Sequence, residues 1–304
     1  MSPARSIFDL DSPVVIAGVG GSGTRVVAAC VQGMGTYLGQ DLNGAIDDWW
    51  FILLLRRPLW YRDASRDGTA HIEDYLTLHR DLLLGRESLS ETQNRYLHEA
   101  ERHFLDHEPP HNRFWHYGRE WVRERMRAIE NRRRIEADDF RHWGFKSPGA
   151  HVYLPELARA YPGLRYIHVT RSGLDMAFST NQKQVLCWSW LVDMDVPVNS
   201  TPPPEVSLEY WLRANDRALR FCRTRLPDAH LVVQFESLCL RPREEVDRIA
   251  RFLDVELDEE TADGLSAIPR SPESIGRHRE HDLSVFSSQQ LEKLARLGYG
   301  DSSG

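Results

Sequence analysis

The 304-residue chain has few cysteines, no long apolar run and no excess of positive charge, and each of these absences excludes a class of protein. Its four cysteines include no CxxC pair, so we expect buried reduced thiols rather than a disulfide framework or a zinc site. The longest apolar stretch, 49–55, is far shorter than the roughly 20 residues of a membrane helix. The N-terminus has no apolar segment typical of a signal peptide. The sequence therefore predicts a cytoplasmic protein without a membrane span.

The net charge excludes a second group of partners. A formal charge of -7 attracts neither nucleic acid nor an anionic membrane, so no nucleic-acid partner is expected. An anionic ligand would have to bind in a local cationic pocket. The chain is long enough to bury a sizeable core, and the sequence makes no prediction of oligomeric state.

Strand and helix patterns alternate as in an α/β protein. A β-branched run at 14–19 predicts a buried parallel strand, followed by a helix at 23–33 and a short strand at 36–39. Further predicted strands lie at 142–145, 165–170 and 230–235, and predicted helices at 152–160, 174–180, 208–225 and 243–253. We therefore expect a central parallel β-sheet flanked by helices.

A helical insert separates the second and third predicted strands. Apolar residues at helical spacing predict helices at 46–55, 71–84, 91–105 and 115–135. The insert would cover about 46–140 and shape one side of the ligand site. A proline-rich stretch at 193–204 predicts a surface loop, with a lid over the site as the alternative.

A glycine-rich loop, GVGGSGTR at 18–25, follows the first predicted strand. Glycines at such a junction let backbone N–H groups approach an anion, and the N-terminus of the following helix adds a favourable partial charge. Phosphate binding is the natural prediction, and a tight turn without a ligand is the alternative. A Walker A loop fits less well, because Thr24 and Arg25 stand where it has Lys and Ser/Thr.

The same loop also fits a dinucleotide-binding pattern. Gly18, Gly20 and Gly23 match GxGxxG, and Asp41 lies 18 residues after Gly23, near where that fold has its ribose-binding acid. An NAD(P)-dependent Rossmann oxidoreductase is therefore a competing hypothesis. It predicts alternating strands soon after Asp41, whereas roughly a hundred residues there have helical spacing.

Farther along the chain, one segment carries an arginine and a hydroxyl around a turn. The predicted strand at 165–170 leads into Arg171, and Ser179 follows on the next predicted helix. A guanidinium fork and a hydroxyl placed in this way can hold one phosphate from two sides. Lys146 ends the preceding predicted strand, so it should open onto the same edge of a parallel sheet, where α/β proteins bind ligands.

Together these segments resemble the sulfotransferases that use 3'-phosphoadenosine-5'-phosphosulfate (PAPS) as sulfuryl donor. In that family a strand, glycine loop and helix hold the 5'-phosphosulfate, and a strand-Arg-turn-Ser element holds the 3'-phosphate. Here the first element is at 14–25 and the second at 165–179. FKSP at 145–148, the segment 231–257 and SIGRHR at 274–279 resemble further family elements, and all occur in family order.

The resemblance implies a single sulfotransferase domain over 1–304, with the P-loop-containing-nucleotide-hydrolase-like fold. Lys146 and Arg25 would stabilise charge on the transferring and leaving oxygens. The implied donor-binding residues are Gly20, Gly21, Ser22, Gly23, Thr24 and Arg25 at the 5'-phosphate, Arg171, Ser179 and Arg277 at the 3'-phosphate, Phe235 at the adenine, and Gly276 in a segment that closes over the nucleotide. PAPS would be the co-substrate and PAP the product, with no metal required.

One position departs from the family pattern. Many members have Lys or Arg immediately before Ser-Gly-Thr, where this chain has Gly21. Arg25 follows, as in the Gly-Thr-Arg version of heparan sulfate sulfotransferases. Either Arg25 or Lys146 supplies the missing cation, or activity is reduced. A non-catalytic nucleotide-binding protein is therefore a further alternative.

Transfer to a hydroxyl requires a general base. Several branches of the family use a Glu or Asp about twenty residues after the first loop, so Asp41 is the first candidate. Asp47 and Asp48 are alternatives, because Asp41 could instead cap a helix. His151 is the remaining alternative, against a packing role.

The acceptor is expected to be a small molecule or glycan that offers a hydroxyl or an amine. The aromatic-rich insert would shape its pocket, although most of those rings are expected in the core. Trp188 and Trp190 are candidates for the acceptor side, again with a core position as the alternative.

Overall fold

Five strands form one sheet in which all neighbours run parallel, as the sequence predicts. The computed structural model describes residues 11–67, 71–106, 117–136, 140–197 and 199–299. The strands are β1 (Val14–Ala17), β2 (Thr36–Tyr37), β3 (His142–Lys146), β4 (Arg165–Thr170) and β5 (His230–Gln234). Their order across the sheet is β2-β3-β1-β4-β5. In the central register, Val14 of β1 lies opposite Gly144 of β3 and Arg165 of β4.

The strand order separates two of the hypotheses drawn from the sequence. In a Rossmann sheet β1 lies next to β2, so an acid after β2 can reach a ribose bound at the glycine loop. Here β3 lies between β1 and β2. Asp41 therefore does not occupy the ribose-binding position of a dinucleotide fold, and the topology is that of the P-loop-like fold.

Helices account for most of the rest of the described chain. They are α1 (Thr24–Gly33), α2 (Trp49–Leu55), α3 (Pro58–Asp67), α4 (Ile72–Leu83), α5 (Glu91–Asp106), α6 (Arg119–Glu130), α7 (Leu154–Ala160), α8 (Gly173–Ala177), α9 (Lys183–Trp188), α10 (Pro204–Arg225), α11 (Phe235–Leu240), α12 (Pro242–Phe252), α13 (Glu259–Ser266) and α14 (Ser288–Leu294). No helix among the described residues is long and apolar enough to cross a membrane.

The insert is helical in the parts that the structure describes, with α2 to α6 between β2 and β3. Its first helix begins at Trp49, not at 46 as predicted. Ile46 has a φ of 62°, and Asp48 accepts hydrogen bonds from the backbone N–H groups of Trp50 and Phe51, which fixes the N-terminus of α2. The start of the helix predicted at 115–135 lies outside the described residues, and α6 begins at Arg119.

The two faces of the sheet bury different helices, because alternate side chains of a strand point to opposite faces. On one face, Val15 and Ala17 belong to a large cluster with the insert helices, α7 and α10. On the other, Val14 and Ile16 belong to a smaller cluster with α1, α12 and α13. The short β1 is buried throughout, which explains its continuous apolar sequence.

Three smaller differences concern residues near the site. Helix α8 ends at Ala177, so Ser179 lies beyond it rather than within it. Strand β5 ends at Gln234, and Phe235 begins α11. Cys239 is half-buried, whereas the other three thiols are buried as expected; all four are free. The stretch 193–204 is a largely exposed loop, with Val198 outside the described residues.

Candidate functional site

The glycine loop lies between the carboxyl ends of β3 and β4. The backbone N–H of Gly18 donates a hydrogen bond to the carbonyl of Pro148, just beyond β3, at 3.1 Å. A Cβ at Gly18 would lie 2.2 Å from the carbonyl oxygen of Val169 in β4, so no larger residue fits there. The three strands therefore bring their loops to one edge of the sheet, where α/β proteins bind ligands.

Within the loop, two glycines adopt a backbone conformation that other residues avoid. Gly21 has a φ of 96° and Gly23 a φ of 91°, and α1 begins directly after Gly23. The hydroxyl of Ser22 is buried and has no hydrogen-bond partner among the described residues. The loop thus offers backbone N–H groups, a helix N-terminus and a hydroxyl in a form suited to a phosphate.

Phe235 joins the glycine loop to the arginine after β4. A Cβ at Gly23 would lie 2.2 Å from the Phe235 ring. The guanidinium carbon of Arg171 lies 5.4 Å from the centroid of the same ring, within the range of a cation–π contact. The two segments predicted to hold opposite ends of one ligand therefore lie together.

The Arg171 side chain is held in place, and it forms no salt bridge with the residues that the structure describes. Its Nη2 donates to the hydroxyl of Ser274 at 2.8 Å, while its buried Nε has no hydrogen-bond partner in the described part of the chain. Burial lowers the pKa of Arg171, an effect that Asp175 and Glu236 oppose and that Arg277 reinforces. Arg171 and Arg277 are thus near one another, which favours an anion between them.

Asp175, in α8, fixes the C-terminal segment that carries Arg277. Its carboxylate accepts hydrogen bonds from the backbone N–H groups of Gly276 (2.8 Å) and His278 (3.1 Å) and contacts Nδ1 of His278 at 2.6 Å. Burial alone would raise the pKa of Asp175, but these hydrogen bonds outweigh it and hold the pKa below its ordinary value. The sequence analysis missed this residue, although its place four residues after Arg171 was a signal.

A cavity of about 380 Å³ opens beside the glycine loop. Its walls come from the loop, from residues just before α2, from the end of β3 and from the start of α9. The charged side chains that line it in the described part of the chain are Arg25, Asp47, Arg56, Lys146 and Lys183. The local cationic pocket expected for an anion-binding protein of negative net charge is therefore present.

Lys146 is a buried lining residue of this cavity and has a carboxylate partner. It is 1% exposed, and its Nζ donates to the carbonyl of Ala45 at 3.0 Å and to the carboxylate of Asp47. Burial lowers the pKa of Lys146, and Asp47 partly offsets that shift. A cation and a carboxylate thus face the same space.

A turn centred on Asn43 presents this carboxylate. The side-chain Oδ1 of Asn43 accepts hydrogen bonds from the backbone N–H groups of Ala45 and Asp47, both at 2.8 Å. The Nδ2 of Asn43 donates a hydrogen bond to Oδ2 of Asp47 at 3.0 Å. The positive φ of Ile46 is part of the same turn. Residues 46 and 47 of this turn were predicted as the start of a helix, which is why the pairing of Asp47 with Lys146 could not be anticipated.

Comparison with known proteins identifies the family of this chain. A family model described as "Sulfotransferase family" matches residues 13–259. The chain belongs to the sulfotransferase family. A search of curated proteins found no match.

One solved sulfotransferase structure agrees with this assignment at the level of the fold, and two others are similar at lower TM-scores. The sulfotransferase domain from the curacin biosynthetic pathway is 12% identical, with 95% of this chain and 98% of that one covered and a TM-score of 0.52. The sulfotransferase domain from the Synechococcus PCC 7002 olefin synthase is 18% identical, with 96% and 97% covered and a TM-score of 0.47. Sulfotransferase STF9 from Mycobacterium avium is 14% identical, with 95% and 76% covered and a TM-score of 0.46.

The base candidates of this sulfotransferase occupy different places. Asp47 lines the cavity. Asp41 is not among the described residues that line it; its carboxylate pairs with Arg125 at 2.8 Å. Burial raises the pKa of Asp41 to about 6, an effect that Arg125 partly offsets. Asp48 is buried, caps α2 and contacts His79 at 2.8 Å, so it has a structural role.

His151 is buried behind the cavity and positions a residue that the sequence analysis missed. Its Nε2 lies 3.0 Å from Oε1 of Gln184, and burial lowers the pKa of His151 to about 3. A neutral His151 therefore donates to Gln184. The Gln184 amide nitrogen is buried without a hydrogen-bond partner among the described residues, and it lines the cavity beside Gly20.

Gly21, the position that departs from the family pattern, has no room for a longer side chain unless the Met176 side chain moves. A Cβ at Gly21 would lie 3.1 Å from the Met176 side chain, and the positive φ adds strain. Cations come instead from around the cavity: Arg25, Lys146 and also Lys183.

The remaining predicted residues lie at the margin of the site or in the core. Ser179 is half-buried, and its hydroxyl accepts from the backbone N–H of Asn181, a residue that lines the cavity. Trp188 is 1% exposed and packs with Trp190 and Tyr61. It therefore has the core position that was the alternative to a place on the acceptor side. In the described part of the chain, no group of three or more His, Cys, Asp or Glu side chains could hold a metal ion.

Proposed function

We propose that this sulfotransferase moves the sulfuryl group of PAPS to a hydroxyl or amine of a small-molecule or glycan acceptor and releases PAP. The observation that carries the proposal is the shared contact of Phe235 with Gly23 and Arg171. It supports one ligand that spans both segments, with a phosphate at each end and an aromatic base near the ring.

At the 5' end, the backbone N–H groups of residues 20–24 and the hydroxyls of Ser22 and Thr24 would hold the phosphate. The buried Ser22 hydroxyl without a partner fits this role, because a buried polar group is normally satisfied. Anions at a helix N-terminus are stabilised by about 0.3–1 kcal/mol when exposed and by more when partly buried.

At the 3' end, Arg171 and Arg277 would bind the second phosphate, with Ser179 as a further donor. The buried Nε of Arg171 without a partner supports this assignment. Phosphate–arginine hydrogen bonds are charge-assisted and roughly twice as strong as neutral ones. A second phosphate at this position is what distinguishes PAPS and PAP from AMP, ATP or NAD.

At the transfer position, the reaction would be an in-line displacement. The acceptor oxygen forms a bond to sulfur, the bond from sulfur to the bridging phosphate oxygen breaks, and the acceptor proton leaves. Lys146 and Arg25 would stabilise the charge on the transferring and leaving oxygens, and the Gln184 amide would add a neutral donor. Fixed charges of this kind act in transfer reactions without reorganisation, and we propose that no metal is needed.

We assign the acceptor proton to Asp47. It lines the cavity together with Lys146. Asp47 would accept the acceptor proton, and Lys146 beside it would stabilise the negative charge on the leaving oxygen. Asp41, the first candidate from the sequence, remains the competing assignment. A general base must lie within hydrogen-bond reach of the proton it takes, which favours the residue that lines the cavity.

The test begins with ligand binding. A protein that binds PAP selectively is stabilised by RT ln(1 + [L]/Kd), so PAP should raise the melting temperature while AMP, ATP and NAD at equal concentration raise it less. PAP release from PAPS in the presence of an acceptor panel then tests chemistry. Equal stabilisation by AMP and PAP would refute the 3'-phosphate site. PAP binding without any PAP release from PAPS would favour a non-catalytic nucleotide-binding protein.

A further inference from the structure

A buried amide without a hydrogen-bond partner lies against the glycine loop. Gln184, the second residue of α9, is 5% exposed and lines the cavity. A Cβ at Gly20 would lie 3.4 Å from Nε2 of Gln184, so this nitrogen is directly beside the loop. In the described part of the chain, no oxygen accepts a hydrogen bond from it. Because buried N–H groups are normally paired, the amide is suited to an acceptor atom that a ligand supplies.

His151 determines which end of this amide faces the loop. Its Nε2 lies 3.0 Å from Oε1 of Gln184, and burial lowers the pKa of His151 to about 3, so the ring is neutral near pH 7. A neutral ring with its proton on Nε2 donates to Oε1 and leaves the N–H groups of Gln184 toward the loop. The opposite arrangement would turn the amide oxygen toward the loop, where it would repel an anion.

Hydrogen bonds and packing hold His151 in place. Nη1 and Nη2 of Arg217 in α10 donate to the carbonyls of His151 and Val152 respectively, both at 3.3 Å. The ring of His168 lies edge-on to that of His151, with 6.3 Å between the centroids. His168 is held in turn by the side-chain oxygen of Asn215 at 2.9 Å. A polar group with such support keeps one orientation and imposes it on the residue that it contacts.

The glycine loop itself supplies no cation next to Ser22. Gly21 has a φ of 96°, and a longer side chain there would require the Met176 side chain to move. Nε2 of Gln184 meets the loop at Gly20, one residue earlier. The leaving oxygen of PAPS gains negative charge as its bond to sulfur breaks, and in PAP it belongs to the 5'-phosphate. An N–H group fixed beside the loop would stabilise that charge.

We propose, on the basis of the proposed function, that Gln184 donates a hydrogen bond to the leaving oxygen of the donor in place of a loop cation, and that His151 is a positioning residue that keeps the N–H end of Gln184 toward it. The amide keeps its protons throughout, so it is a neutral donor to substrate and product alike. His151 therefore acts on the reaction through Gln184 and not as a base.

Titration calorimetry with PAP and adenosine 3'-monophosphate tests the contact, because only PAP carries the 5'-phosphate. Gln184→Met keeps the length of the side chain and removes the amide. It should weaken PAP binding about ten- to a hundredfold, as for the loss of a hydrogen bond to a charged group, and change binding of the 3'-monophosphate less than about twofold. Gln32→Met is the matched control, because Gln32 is exposed near the end of α1, and both affinities should stay unchanged.

His151 is tested through its partner. His151→Phe keeps a ring and removes the donor, so it should weaken PAP binding about two- to tenfold, whereas His151→Gln, whose amide can donate from the same place, should retain most of the affinity. The double variant His151→Phe/Gln184→Met should bind PAP as Gln184→Met alone does, because the effect of His151 passes through the amide. Additive losses would refute the positioning role. His151→Asn, too short to reach Gln184, replaces His151→Phe if the latter does not bind the 3'-monophosphate.

The outcomes separate this inference from the proposed function. If the wild-type enzyme fails to bind PAP, the proposed function itself fails. If the wild type binds PAP and Gln184→Met binds it equally well, the amide does not contact the leaving oxygen, and the sulfotransferase proposal stands. Equal weakening of PAP and adenosine 3'-monophosphate in Gln184→Met would show that Gln184 only supports the shape of the site, which also overturns the inference.

Discussion

The two ends of the proposed donor-binding site, its nucleotide end and its transfer end, hold their positive charges in different ways. At the nucleotide end, Arg171 is oriented by the hydroxyl of Ser274 and the ring of Phe235, and the nearby carboxylates of Asp175 and Glu236 form no salt bridge with it in the described part of the chain. At the transfer end, Lys146 is buried against a carboxylate, so its charge is largely compensated until a substrate alters the balance. The first arrangement suits tight binding of a permanent dianion, and the second suits charge that develops only during transfer.

The supports of the two ends differ as well. Asp175 ties the C-terminal segment to α8 through three contacts and thereby holds Arg277 near Arg171. The Asn43 turn presents Asp47 to Lys146 by hydrogen bonds within five consecutive residues. Substitutions at the transfer end should therefore change turnover, and those at the nucleotide end should change affinity.

The largest effect is expected for Asp47. Asp47→Asn should lower kcat about 10²–10⁴-fold, as loss of a general base does, and leave PAP affinity nearly unchanged. Steady-state kinetics of this variant beside Asp41→Asn decide between the two carboxylates. If Asp41 is the base instead, kcat of the wild type should fall as the pH drops below about 6, because protonation removes the base, and Asp41→Asn should suffer the larger loss.

Lys146→Met should lower kcat about 10²–10³-fold, the usual effect of removing one donor that stabilises transition-state charge. The KM for PAPS should change far less, and Lys293→Met serves as the control. An equal loss in KM with unchanged kcat would show that Lys146 binds the donor uniformly, which contradicts the division between the two ends.

At the nucleotide end, Arg171→Gln should weaken PAP binding about ten- to a hundredfold and AMP binding much less, because AMP lacks the 3'-phosphate. Titration calorimetry with both ligands measures the difference. Arg165→Gln, at the other end of β4 and paired with Asp254, should leave both affinities unchanged. A parallel loss for AMP and PAP would place Arg171 away from the 3'-phosphate.

The smallest effect is expected for Asp175→Asn, at about two- to tenfold weaker PAP binding, since Asp175 acts on the ligand only through the segment that carries Arg277, and the amide of Asn keeps one oxygen acceptor. Asp258→Asn, which caps the distant α13, is the control. Limited proteolysis after the same substitution should cut the segment 274–280 faster. Unchanged proteolysis and unchanged affinity would mean that Arg277 is held independently of Asp175.

The sequence predicted which residues lie together at the proposed nucleotide end better than it did at the proposed transfer end, and the reason is physical. Its residues follow the ends of buried strands, and parallel strands bring their carboxyl ends to one edge whatever lies between them. Gly23, Arg171 and Phe235 could therefore be expected near one another. Asp47, Gln184 and Lys183 lie in a turn and a short helix whose positions depend on hydrogen bonds and packing, and periodicity does not report these.

The amino-acid pattern alone determined the parallel sheet, the glycine loop after its first strand and the helical insert, because strand burial, backbone freedom at glycine and apolar spacing are local properties. The tertiary structure decided that β3 lies between β1 and β2, that Asp47 faces Lys146 while Asp41 pairs with Arg125, and that four cations surround one cavity. Those facts depend on which distant residues share a space, and Coulomb interactions act through distance in space rather than along the chain.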